Sequence, residues 1–244
     1  MILALLFGMA ILAGIVNTLA AGGSFVMLPL LIWSGLPATV ANGTNRISLL
    51  AQNSLAVVGF HRKGLFDLKT NLKLTIPAIL SSILGAWMSV HIPDSVFQKV
   101  ISVLMLLFVA ISVYRERRKN NEQHTFQPGP VSTFVIFFLV GLYGGFIQAG
   151  VGLFLIGSIR FATGLDLVKT NSIKVFVIMC YTVVAILVFA YNGKIDWGVA
   201  AVVATGQGIG GYLGAQFAVK GGEKWIKRLV FVVLIAMAVK LFLE

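Results

Sequence analysis

The chain has 244 residues, 58% of them hydrophobic and only 11% charged, with a formal net charge of +11. Soluble domains carry about 25% charged residues, so a polytopic membrane protein is expected and a soluble core protein is a remote alternative. The basic residues cluster between apolar spans, which excludes nucleic acid as the reason for the charge, and the single cysteine, Cys180, excludes an internal disulfide or a Cys-based metal centre.

The first apolar segment, 1–34, is too long for one straight crossing. A helix of that length runs about 50 Å, against a hydrocarbon core of about 30 Å. Glycines break it at "AAGGS" (20–24). Its start, "MILALLFGMAILAG", lacks a basic n-region and reads as mature structure, not a removable signal peptide. Segments 38–60, 70–91 and 95–114 each have spanning length. The first of these holds "ANGTNRISLLAQN" (41–53), with Arg46 among Asn42, Asn45, Gln52 and Asn53. Such residues are costly in lipid and usually functional there.

A polar, Pro/Gly-terminated linker at 116–130 precedes four more segments, at 131–161, 166–191, 196–219 and 225–243. These repeat the first four. At an offset of 129, Leu84-Gly85-Ala86 falls on Leu213-Gly214-Ala215, Gly64 on Gly193, and Gly35-Leu36 on Gly164-Leu165. At 127, Gly14 falls on Gly141 and Gly23 on Gly150; at 128, Arg46 falls on Lys174. The expected domains are a membrane repeat at 1–115, a cytoplasmic linker at 116–130 and a second membrane repeat at 131–244. The second copy's opening segment is also glycine-broken, at "GGFIQAGVG" (144–152).

Each broken segment can cross once, kinked, or turn back as a re-entrant hairpin. Kinked crossings give eight spans and parallel repeats, with Lys and Arg divided ten to seven between the two faces. Hairpins give six spans and inverted repeats, with a division of fourteen to three. The positive-inside rule selects the hairpins. The expected fold is an all-α polytopic membrane protein of two inverted repeats, each a glycine-broken re-entrant hairpin plus three transmembrane helices. Both termini then lie outside, and loops 61–73, 115–130 and 220–228 are cytoplasmic.

Arg46 and Lys174 are the two basic residues that fall neither in a loop nor at a span end, and all eight carboxylates lie in loops or at span ends. Snorkelling is the alternative for such a cation. A cation without a carboxylate, beside Asn42, Asn45, Asn171 and Ser172, is matched to an anion that comes and goes. Half-helices starting after Gly22-Gly23 and near Ala149-Gly150 would aim backbone N–H groups at the midplane, with Ser24 and Gln148 adding donors. For the glycines of "TGQGIGGYLG" (205–214), close helix packing is the preferred reading. "GQGIGG" lacks the strand–turn–helix context of a nucleotide loop. His61, His91 and His124 are scattered, so no metal site and no cofactor is expected. Trp33, Trp87, Trp197 and Trp225 fall near span ends, as an aromatic belt would.

Three stretches carry a family resemblance: "LAAGGSFVMLPLL", "GLPATVANGTNRISLLAQN" and "GLDLVKTNSIKVFVIM". Over nearly its whole length the chain resembles the sulfite exporter TauE/SafE family of anion permeases. The resemblance implies export of sulfite, of an organosulfonate such as sulfoacetate, or of a related small anion across the bacterial inner membrane; with the charge distribution above, both termini are expected to be periplasmic. It puts the site at Gly22, Gly23, Asn42, Thr44, Asn45, Arg46, Asn53, Asn171, Ser172 and Lys174; Ser24, Gln148 and Gly150 join it from the hairpin tips. The second copy departs from the first, since Cys180 and Tyr181 stand near where Gln52 and Asn53 stand. Expected partners are a small anionic substrate and the lipid bilayer, without nucleic acid and with a homodimer left open. The alternatives are an anion channel with Arg46 and Lys174 as its selectivity site, or a permease for sulfate, thiosulfate or a carboxylate. An intramembrane hydrolase ranks third, because no carboxylate or histidine lies at the depth of the two cations.

Overall fold

A computed structural model describes residues 2–20, 23–65, 68–117 and 128–220. The regular structure of these residues is helical: α1 (Ile2–Ala20), α2 (Gly23–Trp33), α3 (Ala38–His61), α4 (Leu68–His91), α5 (Asp94–Arg117), α6 (Pro130–Phe146), α7 (Val151–Thr163), α8 (Leu167–Tyr191) and α9 (Trp197–Lys220). Most of the expected linker and the apolar segment 225–243 lie outside the described residues. By length and hydropathy alone, three described stretches can each cross a membrane: Ile2–Leu19, Asn71–His91 and Leu167–Tyr191.

Both opening segments break where the glycines predict. α2 turns back along α1, for a Cβ on Gly23 would overlap the Ala13 carbonyl and press on Asn17. α7 turns back along α6: the rings of Tyr143 and Phe154 meet edge to face at 5.2 Å, and the Tyr143 hydroxyl donates to the Ala149 carbonyl at 2.6 Å. The second turn is tight. Gly150 has φ 74° and Gln148 has φ 65°, a left-handed conformation that costs a residue with a Cβ and needs local support.

Helix starts are held by carboxylates. The Asp166 side chain accepts from the Val168 and Lys169 amides at the start of α8, an N-cap that satisfies otherwise orphaned N–H groups. At α3, where Pro37 stands at the cap position, Asp94 from α5 accepts from the Thr39 amide at 2.7 Å.

Small residues set the packing. Gly206, Gly210 and Gly214 of α9 bring its backbone against Phe7, Ile11 and Ile15 of α1. The two helices therefore run in the same direction. Gly141 and Gly145 of α6 meet Ala78 and Ser82 of α4 in the same sense. Gly211 of α9 meets Gln52, and Ala215 meets Gly59, so α3 lies parallel to α9. The close-packing reading of the α9 glycines holds.

The seam between α3 and α8 is antiparallel. Gly43, near the start of α3, touches the Lys194 carbonyl beyond the end of α8. Ser172, near the start of α8, donates to the Leu65 carbonyl beyond the end of α3 at 2.8 Å. The parallel set α1, α3 and α9 thus faces the opposite way to α4, α6 and α8. The exposed bases Arg62, Lys63, Lys73, Arg160 and Lys169 gather where α3 ends and α4 and α8 begin.

Candidate functional site

α3 is polar on its hidden side. Asn42, Thr44, Asn45, Arg46, Ser48, Gln52 and Asn53 are all buried, while Leu55 and Val58 are exposed. An ordinary soluble helix is arranged the other way round. The pattern fits a helix with lipid outside and a polar centre within.

Arg46 is 0% exposed and reaches the carboxyl end of α6. Its Nη1 donates to the Gly144 carbonyl at 3.1 Å and to Gln148 Oε1 at 3.3 Å. Its Nη2 donates to the carbonyls of Gly145 and Phe146. The guanidinium lies 4.6 Å from the centre of the Phe189 ring, a cation–π contact. Asn42 supports the arrangement, its Nδ2 donating to the Phe146 carbonyl at 2.9 Å and to Ser89 Oγ at 3.0 Å.

Lys174 is 1% exposed and reaches the carboxyl end of α1. Its Nζ donates to the carbonyls of Asn17 and Thr18, both at 3.0 Å. The last carbonyls of a helix have no partner in the helix and sit at its negative pole, and a basic side chain suits both conditions. Each cation is therefore balanced by a helix end. The sequence reading left them without a protein counter-ion, since it considered only carboxylates.

Amides join the two groups. Asn17 Nδ2 donates to Gln52 Oε1 at 3.2 Å; Gln52 stands six residues beyond Arg46, about 9 Å along α3. Gln207 Nε2 of α9 donates to Asn45 Oδ1 at 3.4 Å. Several buried atoms around this network have no hydrogen-bond partner: Arg46 Nε, Gln52 Nε2, Asn42 Oδ1, Asn53 Oδ1, Asn171 Oδ1 and Gln207 Oε1. Buried polar atoms rarely stay unpaired, so the cluster has room in its hydrogen bonding for further polar partners.

The remaining expected site residues divide. Gln148 joins Arg46 at the α6–α7 turn, where Gly150 supplies the left-handed start of α7. Ser24 is buried at the start of α2. Thr44 Oγ1 instead accepts from the Asp196 amide at 3.0 Å, and Ser172 Oγ is spent on Leu65, so both tie helix ends together. Gly23 serves close packing. Gly22 lies outside the described residues. Sequence reasoning missed Asn17, Thr18 and the carbonyls of 144–146, because a backbone oxygen carries no residue signature. Phe189 looked like any apolar span residue. Among the described residues, no group of three His, Cys, Asp or Glu side chains converges as a metal site would.

The sequence profile of the family described as Sulfite exporter TauE/SafE matches residues 6–241. Over 247 aligned residues the chain is 29% identical to the "Probable membrane transporter protein ORF9" of Sinorhizobium sp, covering 100% of this chain and 93% of that protein. It is 23% identical to the "Probable membrane transporter protein YfcA" of Escherichia coli K12, covering 100% and 91%. A "Probable membrane transporter protein" of Haemophilus influenzae is 26% identical, covering 98% and 94%. No solved structure matches.

Proposed function

The chain belongs to the sulfite exporter TauE/SafE family of membrane transporters, and from that premise we propose that it exports a small oxyanion across the bacterial inner membrane. The substrate is sulfite or an organosulfonate such as sulfoacetate, bound at mid-membrane between inverted repeats at 1–115 and 131–244. Arg46 and Lys174 supply the charge. Gln52 and the Arg46 Nε–H supply directed donors, and relative motion of the repeats gives access from either face.

One observation carries the reading. Two buried cations, at repeat-equivalent positions on antiparallel helices, stand among buried polar atoms that lack partners. The inverted arrangement is supported by the antiparallel α3–α8 seam and by left-handed glycines at matching places: Gly35 and Gly164 follow α2 and α7, Gly64 and Gly193 follow α3 and α8. The cluster of exposed bases at one end supports a cytoplasmic face there. The near-complete burial of both cations favours an occluded carrier over an open channel. With no Asp or Glu among the buried described side chains, export follows the anion gradient or the membrane potential.

The test is thermal stability of purified protein against sulfite, sulfoacetate, sulfate, thiosulfate and acetate. A true ligand at a hundredfold excess over its Kd stabilises by about 2.7 kcal/mol. Arg46→Ala and Lys174→Ala should each abolish most of that gain; a gain undiminished in both variants sinks the assignment.

A further inference from the structure

The likeness between the two halves of the chain breaks down between α4 and α9, and the difference is polar. On α4, Asn71, Thr75, Ser81, Ser82 and Ser89 are all 0% exposed. An offset of 129 carries them onto Ala200, Ala204, Gly210, Gly211 and Ala218 of α9. Every buried polar side chain of this set becomes alanine or glycine in its counterpart.

The spacing of Asn71, Thr75, Ser82 and Ser89 keeps them on one face of α4. That face is tied to α8 and to the site. Ser82 Oγ lies 3.4 Å from the Tyr181 carbonyl of α8, Ala86 packs with Ala185 and Phe189, and Ser89 accepts from Asn42 beside Arg46. Neither the amide nitrogen nor the amide oxygen of Asn71 has a partner, and the buried Tyr181 hydroxyl has none. That hydroxyl rests against Gly144, whose carbonyl Arg46 binds. Buried polar groups thus run from the basic end of the bundle to the guanidinium, Thr75 and Ser82 donating to the Asn71 and Ile79 carbonyls of their own helix and Asn71 keeping its amide unpaired.

The equivalent seam, between α9 and α3, is closed by backbone contact. Cβ atoms on Gly211 and Gly59 would overlap Gln52 and Ala215. No described α4–α8 contact depends on a glycine in this way.

We propose that the anion reaches Arg46 from the basic end of the bundle through the α4–α8 seam, with Asn71 at its mouth and Thr75, Ser82 and Tyr181 along its wall. The α3–α9 seam stays shut along its glycines, with Gln52 packed on Gly211 and Gln207 bonded to Asn45 across it. Buried hydroxyls and amides accept water when helices part, whereas the alanines and glycines at the equivalent α9 positions offer it nothing.

This proposal rests on the anion-carrier reading, but its test needs no anion. In a Cys180→Ala background, single cysteines at Asn71, Thr75 and Ser82 are compared with cysteines at Ala200 and Ala204. Each is exposed to a charged methanethiosulfonate reagent in membrane vesicles of both orientations. Labelling tracks the open population of a buried position, so the α4 cysteines should react at least about tenfold faster, and from the Arg62–Lys63 face. Adding Asn71→Leu to the Thr75→Cys protein should slow its labelling by about the same factor. Equal rates on α4 and α9, or labelling at position 75 that Asn71→Leu leaves unchanged or raises, would overturn the route. Anion stabilisation undiminished in the Arg46→Ala and Lys174→Ala variants would sink the carrier reading and leave these labelling rates untouched, which separates the two readings.

Discussion

Arg46 and Lys174 make the same contact on opposite halves of the chain. An offset of 128 relates the two cations, and an offset of 127 carries Asn17-Thr18 onto Gly144-Gly145, whose carbonyls they bind. Each cation leaves its own half and closes the broken helix of the other.

The cations are structural before any ligand arrives. Arg46→Ala leaves the last three carbonyls of α6 without their guanidinium partner. Hydrogen bonds to a charged group contribute about 1.5–3 kcal/mol each, and part of the loss is recovered by relaxation. A net cost of about 3 kcal/mol is expected, or a fall in Tm of about 6–12 °C. Arg46→Lys should recover about half, because an ammonium cannot span the fork that reaches Gly144 and Gly145 together. Thermal unfolding in detergent without added anion checks both.

The two cations should act as a unit toward ligand and separately toward the fold. Without anion, the losses in unfolding free energy of Arg46→Ala and Lys174→Ala should add to within about 0.5 kcal/mol in the double variant. With a saturating anion from the stabilisation panel, either single variant should lose most of the ligand-dependent gain, and the second change should remove little more. An additive loss of that gain would mean two independent anion sites.

Gly145→Ala should damage the site without touching a polar side chain. Its Cβ would overlap the Ser82 carbonyl and displace the backbone that Arg46 binds. Overpacking of this kind costs about 1–3 kcal/mol, and transport should fall with it. Gly157→Ala is the control. Nothing lies within 4 Å of the added methyl, so this change should raise stability by about 0.5–1 kcal/mol through helix propensity alone.

Inverted and parallel repeats predict different labelling. Lys63 and Asn192 are exposed and follow α3 and α8, which run antiparallel. Cysteines placed there in a Cys180→Ala background should react with an impermeant reagent from opposite faces of the membrane. Reaction from a single face would refute the inverted arrangement.

Much of the site's address could be read from sequence, and little of its wiring. Glycine breaks at 20–24 and 144–152 located both turns, because a span too long for the bilayer must turn somewhere. The internal offset paired Arg46 with Lys174 before any geometry was known. The partners of those cations stayed hidden, since helix-end carbonyls belong to the fold and not to any residue type. Thr44 and Ser172 looked like site residues by their neighbours in sequence. Their hydroxyls turn instead to the Asp196 amide and the Leu65 carbonyl, a choice made by helix ends meeting from distant parts of the chain. The α4–α9 asymmetry was present in the letters all along, but alignment by shared glycines rewards likeness and passes over the positions that differ.

Gln148 holds a left-handed backbone and accepts from the same nitrogen of Arg46 that binds Gly144. The guanidinium has five N–H groups, and among them only the one on Nε has no partner. On the anion-carrier reading, an arriving anion finds one free N–H on this guanidinium, with the unpaired Gln52 Nε2 as another free donor. To grip the fork with two oxygens it must take one away from the end of α6 and slacken the turn that Gln148 strains to make. On that same reading, recognition and unlatching are then a single event, and a carrier wired in this way stays closed until its cargo opens it.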